Sequence, residues 1–224
     1  MSRDSRSFDD SQAFAKRRRQ ALGAFGALGA LAIAACGGGS SSDSGSDGST
    51  TASTDATLSG LALSTGTLSP AHLSSGCAPI SGAGIYIWHC DKDGIYSGYA
   101  TSTNAGSTST TFLRGVQVTG SDGQVIFTTI YPGWYAGRIT HIHAQVHLND
   151  GLVSGTAIAT TQLAFPIDIT TAVYDSSLYT KGQNTSVTTF SADNVFSDGT
   201  STEMLSLTGD TASGYAATMT ISIA

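Results

Sequence analysis

The chain has 224 residues, with 10 Lys and Arg against 16 Asp and Glu, and its formal net charge is −6. Six of the basic residues and three of the acidic ones precede residue 20, so the remainder has four basic against thirteen acidic residues, a net charge of −9. The four cations are Lys92, Arg114, Arg138 and Lys181. Because phosphate-binding surfaces need clustered cations, this composition excludes nucleic acid as a partner.

Residues 1–35 have the pattern of an export signal. Basic residues 16–19 and Gln20 precede a mildly apolar stretch, residues 21–35, which is shorter than the roughly 20 strongly apolar residues of a transmembrane helix. The paired arginines resemble a twin-arginine signal. The sequence Ile-Ala-Ala-Cys resembles a bacterial lipobox, in which Cys36 would be lipidated and become the mature N-terminus. We therefore expect export to the periplasmic or extracellular face, with a lipid anchor as the one membrane attachment; ordinary cleavage without a lipid is the alternative.

Residues 36–57 are predicted to form a flexible tether. Beyond Cys36 they are Gly, Ser, Thr and Asp with no apolar residue larger than Ala, so they cannot bury a core. Residues 58–224 are long enough for one domain with a full core.

That domain alternates short apolar runs with turn signals, which is typical of strands. Seven strands are predicted, at residues 84–89, 112–118, 124–130, 140–148, 157–165, 203–208 and 215–223. No stretch has a convincing apolar period of 3.6 residues, and residues 167–195 are predicted to be a long loop. The predicted fold class is all-β, an antiparallel β-sandwich with long loops and few or no helices. The oligomeric state stays open, and a homo-oligomer is compatible with the sequence.

Two further cysteines, Cys77 and Cys90, lie at the start of the domain. In an exported protein they are predicted to form a disulfide between a loop and a strand. Two separate buried thiols are the alternative.

The most informative strand contains His141 and His143. Its period of two places both histidines on one face, about 6–7 Å apart at the backbone, from where they can converge on one metal ion. Such pairs also occur on ordinary half-exposed strands, so a metal site needs further ligands. Phenolate is a hard oxygen donor, and tyrosine with histidine suits a ferric ion better than zinc or copper. Tyr135 and Tyr96 are the candidates.

Spaced motifs across about residues 76–165 resemble the intradiol ring-cleavage dioxygenases, the family of catechol and protocatechuate 3,4-dioxygenases. The likeness is greatest to exported, stand-alone bacterial members. The motifs are Ile-Trp-His at 87–89, Asp-x-x-Gly-x-Tyr at 91–96, Phe-Leu-Arg-Gly at 112–115, Asp-Gly-x-x-x-Phe-x-Thr-Ile-x-Pro-Gly-x-Tyr at 122–135 and Arg-x-x-His-Ile-His at 138–143.

The resemblance implies an intradiol-type β-sandwich and a non-haem Fe(III) cofactor. It implies as ligands Tyr96, Tyr135, His141 and His143. It also implies that Tyr135 leaves the iron when substrate binds and takes a catechol proton, and that Arg138 stabilises charge on the substrate. Gln162 resembles a substrate-side glutamine, although its interval from the histidines is longer than expected. The implied partners are a small aromatic diol and O2, and the implied product is a muconate-type diacid.

Other aromatic and imidazole side chains compete for these roles. Tyr131 competes with Tyr135, and Tyr99 with Tyr96, but the motif spacing favours the two tyrosines named above. His89 and His147 are predicted to be structural.

One departure from the family motivates two alternatives. The stretch from residue 58 to residue 77 lacks the Glu-Gly-Pro-Tyr segment and the strand or two that, in the family, wall the active site. The first alternative is a catalytically inactive β-sandwich binding lipoprotein that retains the iron site. The second is a structural surface domain with vestigial ligands.

Overall fold

The structure of the chain is a computed structural model that describes residues 62–72, 78–101, 104–148 and 157–223. The predicted export signal, the predicted lipidation site Cys36, the predicted tether and Cys77 lie outside these residues. Within the described ranges, no helix is long and apolar enough to cross a membrane.

The described strands form two sheets. The first contains β1 (Ala62–His72), β2 (Ala78–Pro79), β5 (Val125–Ile130), β8 (Ser206–Asp210) and β9 (Gly214–Ile223). The second contains β3 (Gly84–Trp88), β4 (Arg114–Val118), β6 (His141–His147) and β7 (Ala159–Ala164). The strand order is β2-β1-β9-β8 in the first sheet, where β5 also pairs with β1, and β4-β3-β6-β7 in the second.

The predicted all-β sandwich with antiparallel sheets is confirmed. Each of the seven predicted strands overlaps an observed one, and among the strand pairs described here only β1 with β9 is parallel. The sequence predicted no strand before residue 84, and here the structure corrects it, because β1 and the short β2 lie there. Their Ser-, Thr- and Gly-rich sequence has a weak period of two, but β9 and β5 supply hydrogen-bonding partners to β1.

The predicted loop at residues 167–195 is also corrected. It contains a helix, α1 (Ile167–Tyr174), and a 3-10 helix, Phe190–Ala192. The helix was missed because it is rich in β-branched residues, which have low helix propensity, and because only Val173 and Tyr174 are buried. Tertiary packing therefore decides this segment rather than its local pattern.

The main core lies between the two sheets. Along β9 the inward residues alternate with exposed ones, as a half-buried strand requires. They are Tyr215, Ala217, Met219, Ile221 and Ile223. In contrast β6 is buried on both faces: Ile142, Ala144 and Val146 join the core, and His141 and His143 are covered on the opposite face.

Among the described residues Cys90 is a buried free thiol; its predicted partner Cys77 lies outside them, so the Cys77–Cys90 disulfide stays a prediction. The side chain of Cys90 turns into the interior after β3, is 2% exposed, and donates a hydrogen bond from Sγ to the Gly133 carbonyl at 3.4 Å. Burial raises the pKa of this thiol to about 12, so it is protonated and unreactive.

Candidate metal centre

The two histidines of β6 point at a common centre. The Nε2 atoms of His141 and His143 lie 3.2 Å apart, and the side chains are 2% and 1% exposed. His141 Nδ1 lies 2.6 Å from the Ile139 carbonyl, which can only accept a hydrogen bond, so this nitrogen carries the proton. The Nε2 lone pair of His141 is therefore free to bind a metal, and the carbonyl fixes the ring orientation.

Tyr96 reaches the same centre from the loop that follows β3. Its hydroxyl lies 3.2 Å from His141 Nε2 and 3.1 Å from His143 Nε2, and its side chain is 2% exposed. The loop is held in shape by Asp91, whose Oδ1 accepts hydrogen bonds from the amides of Asp93 and Ile95.

Tyr135 reaches the same centre from beyond the turn at residues 132–133, and its ring centroid lies 5.6 Å from that of Tyr96. Its hydroxyl lies 3.4 Å from His141 Nε2, and its side chain is half-buried, so it is the more accessible of the two tyrosines. The turn packs against the Tyr96 loop through a hydrogen bond from the Gly133 amide to the Asp91 carbonyl at 2.9 Å. A Cβ at Gly133 would lie 2.2 Å from the Lys92 carbonyl oxygen, so glycine alone permits this contact.

These four side chains fit a bound metal ion by their spacing and their chemistry. The contacts among their donor atoms span 3.1–3.4 Å. Such separations suit atoms that each bind one ion at about 2.0–2.1 Å. The described residues contain no group of three or more His, Cys, Asp or Glu that could hold a metal, so the set depends on its tyrosines. Two phenol oxygens with two imidazole nitrogens favour a hard ion such as Fe(III).

Burial sets the protonation of the cluster in the absence of a cation. Desolvation raises the pKa of Tyr96 well above 10, and raises that of Tyr135 to about 12 despite the opposing charge of Arg138. Desolvation lowers the pKa of His141 and His143 well below 6.5, with a further contribution from Arg138. Neutral imidazoles are the form that binds metals, and each phenol needs a neighbouring positive charge to ionise.

Arg138 and Gln162 lie together beside the cluster. Arg138 is 6% exposed, and its Nη2 donates a hydrogen bond to Gln162 Oε1 at 2.6 Å. Gln162 is the register partner of His143 across β6 and β7, which explains how a residue distant in sequence reaches Arg138. The Nε of Arg138 lies 3.0 Å from Oδ2 of Asp193, an acid to which the sequence reasoning gave no role.

Two further neighbours of the cluster were missed as functional residues. Trp88 stacks on His143, with ring centroids 4.6 Å apart and 5° between the planes. Arg114 donates hydrogen bonds to the Tyr86 hydroxyl at 2.8 Å and to the Ser97 carbonyl at 2.6 Å. It therefore ties β3 and β4 to the segment just beyond Tyr96. The motifs at 87–89 and 112–115 contained both residues, but the resemblance assigned them no role.

The tyrosines and histidines that competed for the ligand roles lie outside the cluster of four side chains. Tyr131 is in the main core, fully buried, with its hydroxyl 2.7 Å from Thr170 Oγ1. Tyr99 packs edge-on against Tyr96, with centroids 5.8 Å apart. His89 lies within hydrogen-bond distance of the Cys90 carbonyl and Thr129 Oγ1. His147, at the far end of β6, is buried without a hydrogen-bond partner among the described residues.

Comparison with solved structures finds the same fold. The intradiol ring-cleavage dioxygenase from Tetranychus urticae is 27% identical with a TM-score of 0.63, over 73% of this chain and 81% of that chain. A second crystallised dioxygenase is 29% identical with a TM-score of 0.62, over 73% of this chain and 80% of its own. No family model matches the sequence, and a search of curated proteins found no match.

The two similar structures are dioxygenases, so the sandwich fold of this chain is one that supports an oxidoreductase class. The chain has the fold of the intradiol ring-cleavage dioxygenases, and these two structures support its resemblance to that family.

Proposed function

We propose that this chain is a non-haem Fe(III) intradiol dioxygenase that acts on a catechol-type aromatic. The observation that carries the proposal is the convergence of two phenol oxygens and two imidazole nitrogens at contacts of 3.1–3.4 Å. The proposed ligands are Tyr96, Tyr135, His141 and His143. When bound, the iron would supply a Lewis acid that withdraws electron density from an ionised catechol and prepares its ring for O2.

The reaction balances without an external reductant. The ring bond between the two hydroxylated carbons breaks, and each of those carbons gains one oxygen atom from O2. The product is a muconate-type diacid, and both atoms of O2 are accounted for. No nicotinamide, flavin or other electron carrier is needed.

The protein side chains have separate tasks in this proposal. Tyr135, the more accessible tyrosine, would take a proton from the incoming catechol, while Tyr96, 2% exposed, would stay in place. Arg138 would stabilise negative charge on the substrate from its position beside Gln162. The buried surroundings of these groups strengthen such electrostatic effects, because little water screens them.

The export route and the anchor are part of the same proposal. We propose that the chain leaves the cytoplasm through a twin-arginine-type signal and is attached by a lipid at Cys36. A twin-arginine route carries folded proteins, so the iron would be taken up before export. Globomycin, which blocks lipoprotein signal cleavage, should shift the mass of the exported protein; an unchanged mass would contradict the anchor.

The second candidate function is an inactive binding lipoprotein with the same iron site. It is favoured by the sequence before β3, which lacks the family segment that walls the active site. This candidate predicts that iron or a catechol is bound but that incubation in air gives no ring-opened product.

The experiment begins with protein expressed in iron-replete medium. A tyrosinate-to-iron(III) absorption band in the visible, with one iron per chain, is expected. O2 uptake and the ultraviolet absorbance of a muconate are then measured with catechol, hydroxyquinol and protocatechuate. A colourless protein without iron would refute the dioxygenase, and one that also binds no catechol would refute both candidates. A coloured protein that consumes no O2 would leave only the binding lipoprotein.

A further inference from the structure

Asp193 is the most deeply buried charged residue near the candidate metal centre. It follows the 3-10 helix Phe190–Ala192, and its side chain is 0% exposed. A buried carboxylate is costly unless every lone pair is satisfied, so its partners show what it is arranged to hold.

The partners of Asp193 come from two segments, residues 138–139 and residues 195–196. Oδ1 accepts hydrogen bonds from the amides of Val195 at 2.8 Å and Phe196 at 3.2 Å, and Oδ2 accepts one from the Ile139 amide at 2.8 Å. Arg138 Nε lies 3.2 Å from Oδ1 and 3.0 Å from Oδ2. Three backbone amides therefore fix the carboxylate, and the fixed carboxylate in turn receives the guanidinium.

The guanidinium of Arg138 is held through two of its nitrogens, so its orientation is fixed. Because the group is planar, the bond from Nε to Asp193 and the bond from Nη2 to Gln162 Oε1 at 2.6 Å define its plane. The Phe196 ring lies against it, with the central carbon 5.9 Å from the ring centroid. Arginine otherwise has many rotamers, and ordering them costs free energy at the moment of reaction.

We propose that Asp193 is the positioning residue of Arg138. It holds the guanidinium by Nε, so that the charge of Arg138 is already directed at the substrate when the substrate binds. Gln162 alone cannot do this, because a single neutral acceptor leaves the plane free to rotate about that bond. The inference rests on the proposed function for its kinetic consequence, but the placement of Arg138 by Asp193 can be measured without iron.

The first experiment uses the iron-free full-length chain and arginine Nε–H signals in nitrogen–proton correlation spectra. The Arg138 signal is assigned by its loss in Arg138→Lys. Asp193→Asn keeps the size of the side chain but removes acceptor capacity, and we expect the Arg138 proton to exchange with water at least about tenfold faster. An unchanged shift and exchange rate would overturn the proposal.

The matched control is Glu203→Gln. Glu203 is a buried acid in the same C-terminal segment, and its Oε1 accepts a hydrogen bond from Thr161 at 3.0 Å. This variant makes the same chemical change and should lower thermal stability without affecting the Arg138 signal. If both variants affect that signal equally, the effect is general loosening and the proposal fails.

The second experiment is a double-mutant cycle on the iron-loaded enzyme. Asp193→Asn should lower kcat by about tenfold to a hundredfold, with little change in KM and with the visible band intact. In an Arg138→Lys background the same change should lower kcat by less than about threefold, because the guanidinium that Asp193 orients is absent. If Asp193→Asn lowers kcat by the same factor in the wild-type and Arg138→Lys backgrounds, the role of Asp193 is merely structural.

Two safeguards keep the outcomes distinct. If Asp193→Asn does not fold, Asp193→Glu replaces it; this variant keeps the charge but moves it, so a wild-type kcat would overturn the proposal. If the wild-type chain cleaves no catechol, the proposed function fails, and the Nε–H experiment still decides whether Asp193 holds Arg138.

Discussion

Trp88 lies flat against His143, with ring centroids 4.6 Å apart and an angle of 5° between the rings. The residues are register partners in β3 and β6, so the sheet itself brings the indole over the imidazole. The contact restricts the imidazole to one plane. Support of this kind for a metal ligand commonly changes metal affinity by about 10–100-fold when it is removed.

We therefore expect Trp88→Ala to lose bound iron about 10–100-fold faster to a chelator than the wild-type chain. The free energy of unfolding should also fall, by about 3–5 kcal/mol, because a large buried side chain is removed. Phe127→Ala, in the main core, should cost a similar amount of stability and leave iron release unchanged. Equal iron release by both variants would show that the stacking has no specific role.

Replacement of Tyr135 by Phe removes one phenol oxygen from the cluster. We expect a shifted or weakened visible band, about 10–100-fold weaker iron retention and loss of ring cleavage. Tyr131→Phe is the matched control, since Tyr131 is fully buried in the core and bonds to Thr170 instead. It should cost about 1 kcal/mol of stability and keep the band. A Tyr135→Phe protein with an unaltered spectrum would contradict the proposed ligand set.

Gly133 is expected to tolerate no side chain. A Cβ there would overlap the Lys92 carbonyl, so Gly133→Ala should separate the two tyrosine loops, cost about 1–3 kcal/mol and reduce iron content. Gly82→Ala provides the comparison, because Gly82 has φ +77° but no atom near its Cβ position. It should cost about 1–2 kcal/mol through backbone strain and leave iron content at the wild-type level. Iron content and thermal unfolding of both variants test this.

The stability of the iron-free chain should fall on acidification, and His89 should contribute to that fall together with His141 and His143, whose pKa values burial also lowers. Burial lowers the pKa of His89 from 6.5 to about 4. Between those two values the unfolded chain binds more protons than the folded one, so the free energy of unfolding decreases as the pH falls from 6.5 towards 4. The gap between the two pKa values is worth about 3 kcal/mol.

Urea unfolding of the iron-free chain at neutral and mildly acidic pH measures this dependence. His89→Gln cannot take up the proton, so its stability should fall less over the same interval, whatever its stability at neutral pH. If the wild type and His89→Gln lose equal stability, groups other than His89 cause the pH dependence.

The sequence predicted the strand that contains His141 and His143 well, because that prediction needed only local geometry. A period of two is enough to place His141 and His143 on one face. Tyr96 lies 47 residues before His143. Its proximity to the two histidines could be predicted only from the family motif, because the periodicity within one strand gives no information on the distance to another element. The sandwich was predicted for a similar reason, from many short alternating runs.

Other features depend on tertiary contacts that no local pattern shows. Asp193 lies 55 residues from Arg138, within a segment predicted to be a loop, and its role appears only when the chain folds back on β6. The helix α1 has β-branched residues that disfavour it locally, and packing of Val173 and Tyr174 determines it. β1 likewise depends on its two neighbours.

The parallel pairing of β1 with β9 also constrains the order in which the chain can fold during synthesis. Leu63 pairs with Tyr215 and His72 with Ile223, so the first described strand needs partners that are synthesised much later. Meanwhile the antiparallel pairing of Ala62–Leu68 with β5 becomes available much earlier. We expect a nascent chain to remain open along one side of the first sheet until β9 emerges, a period in which chaperones have access to that edge.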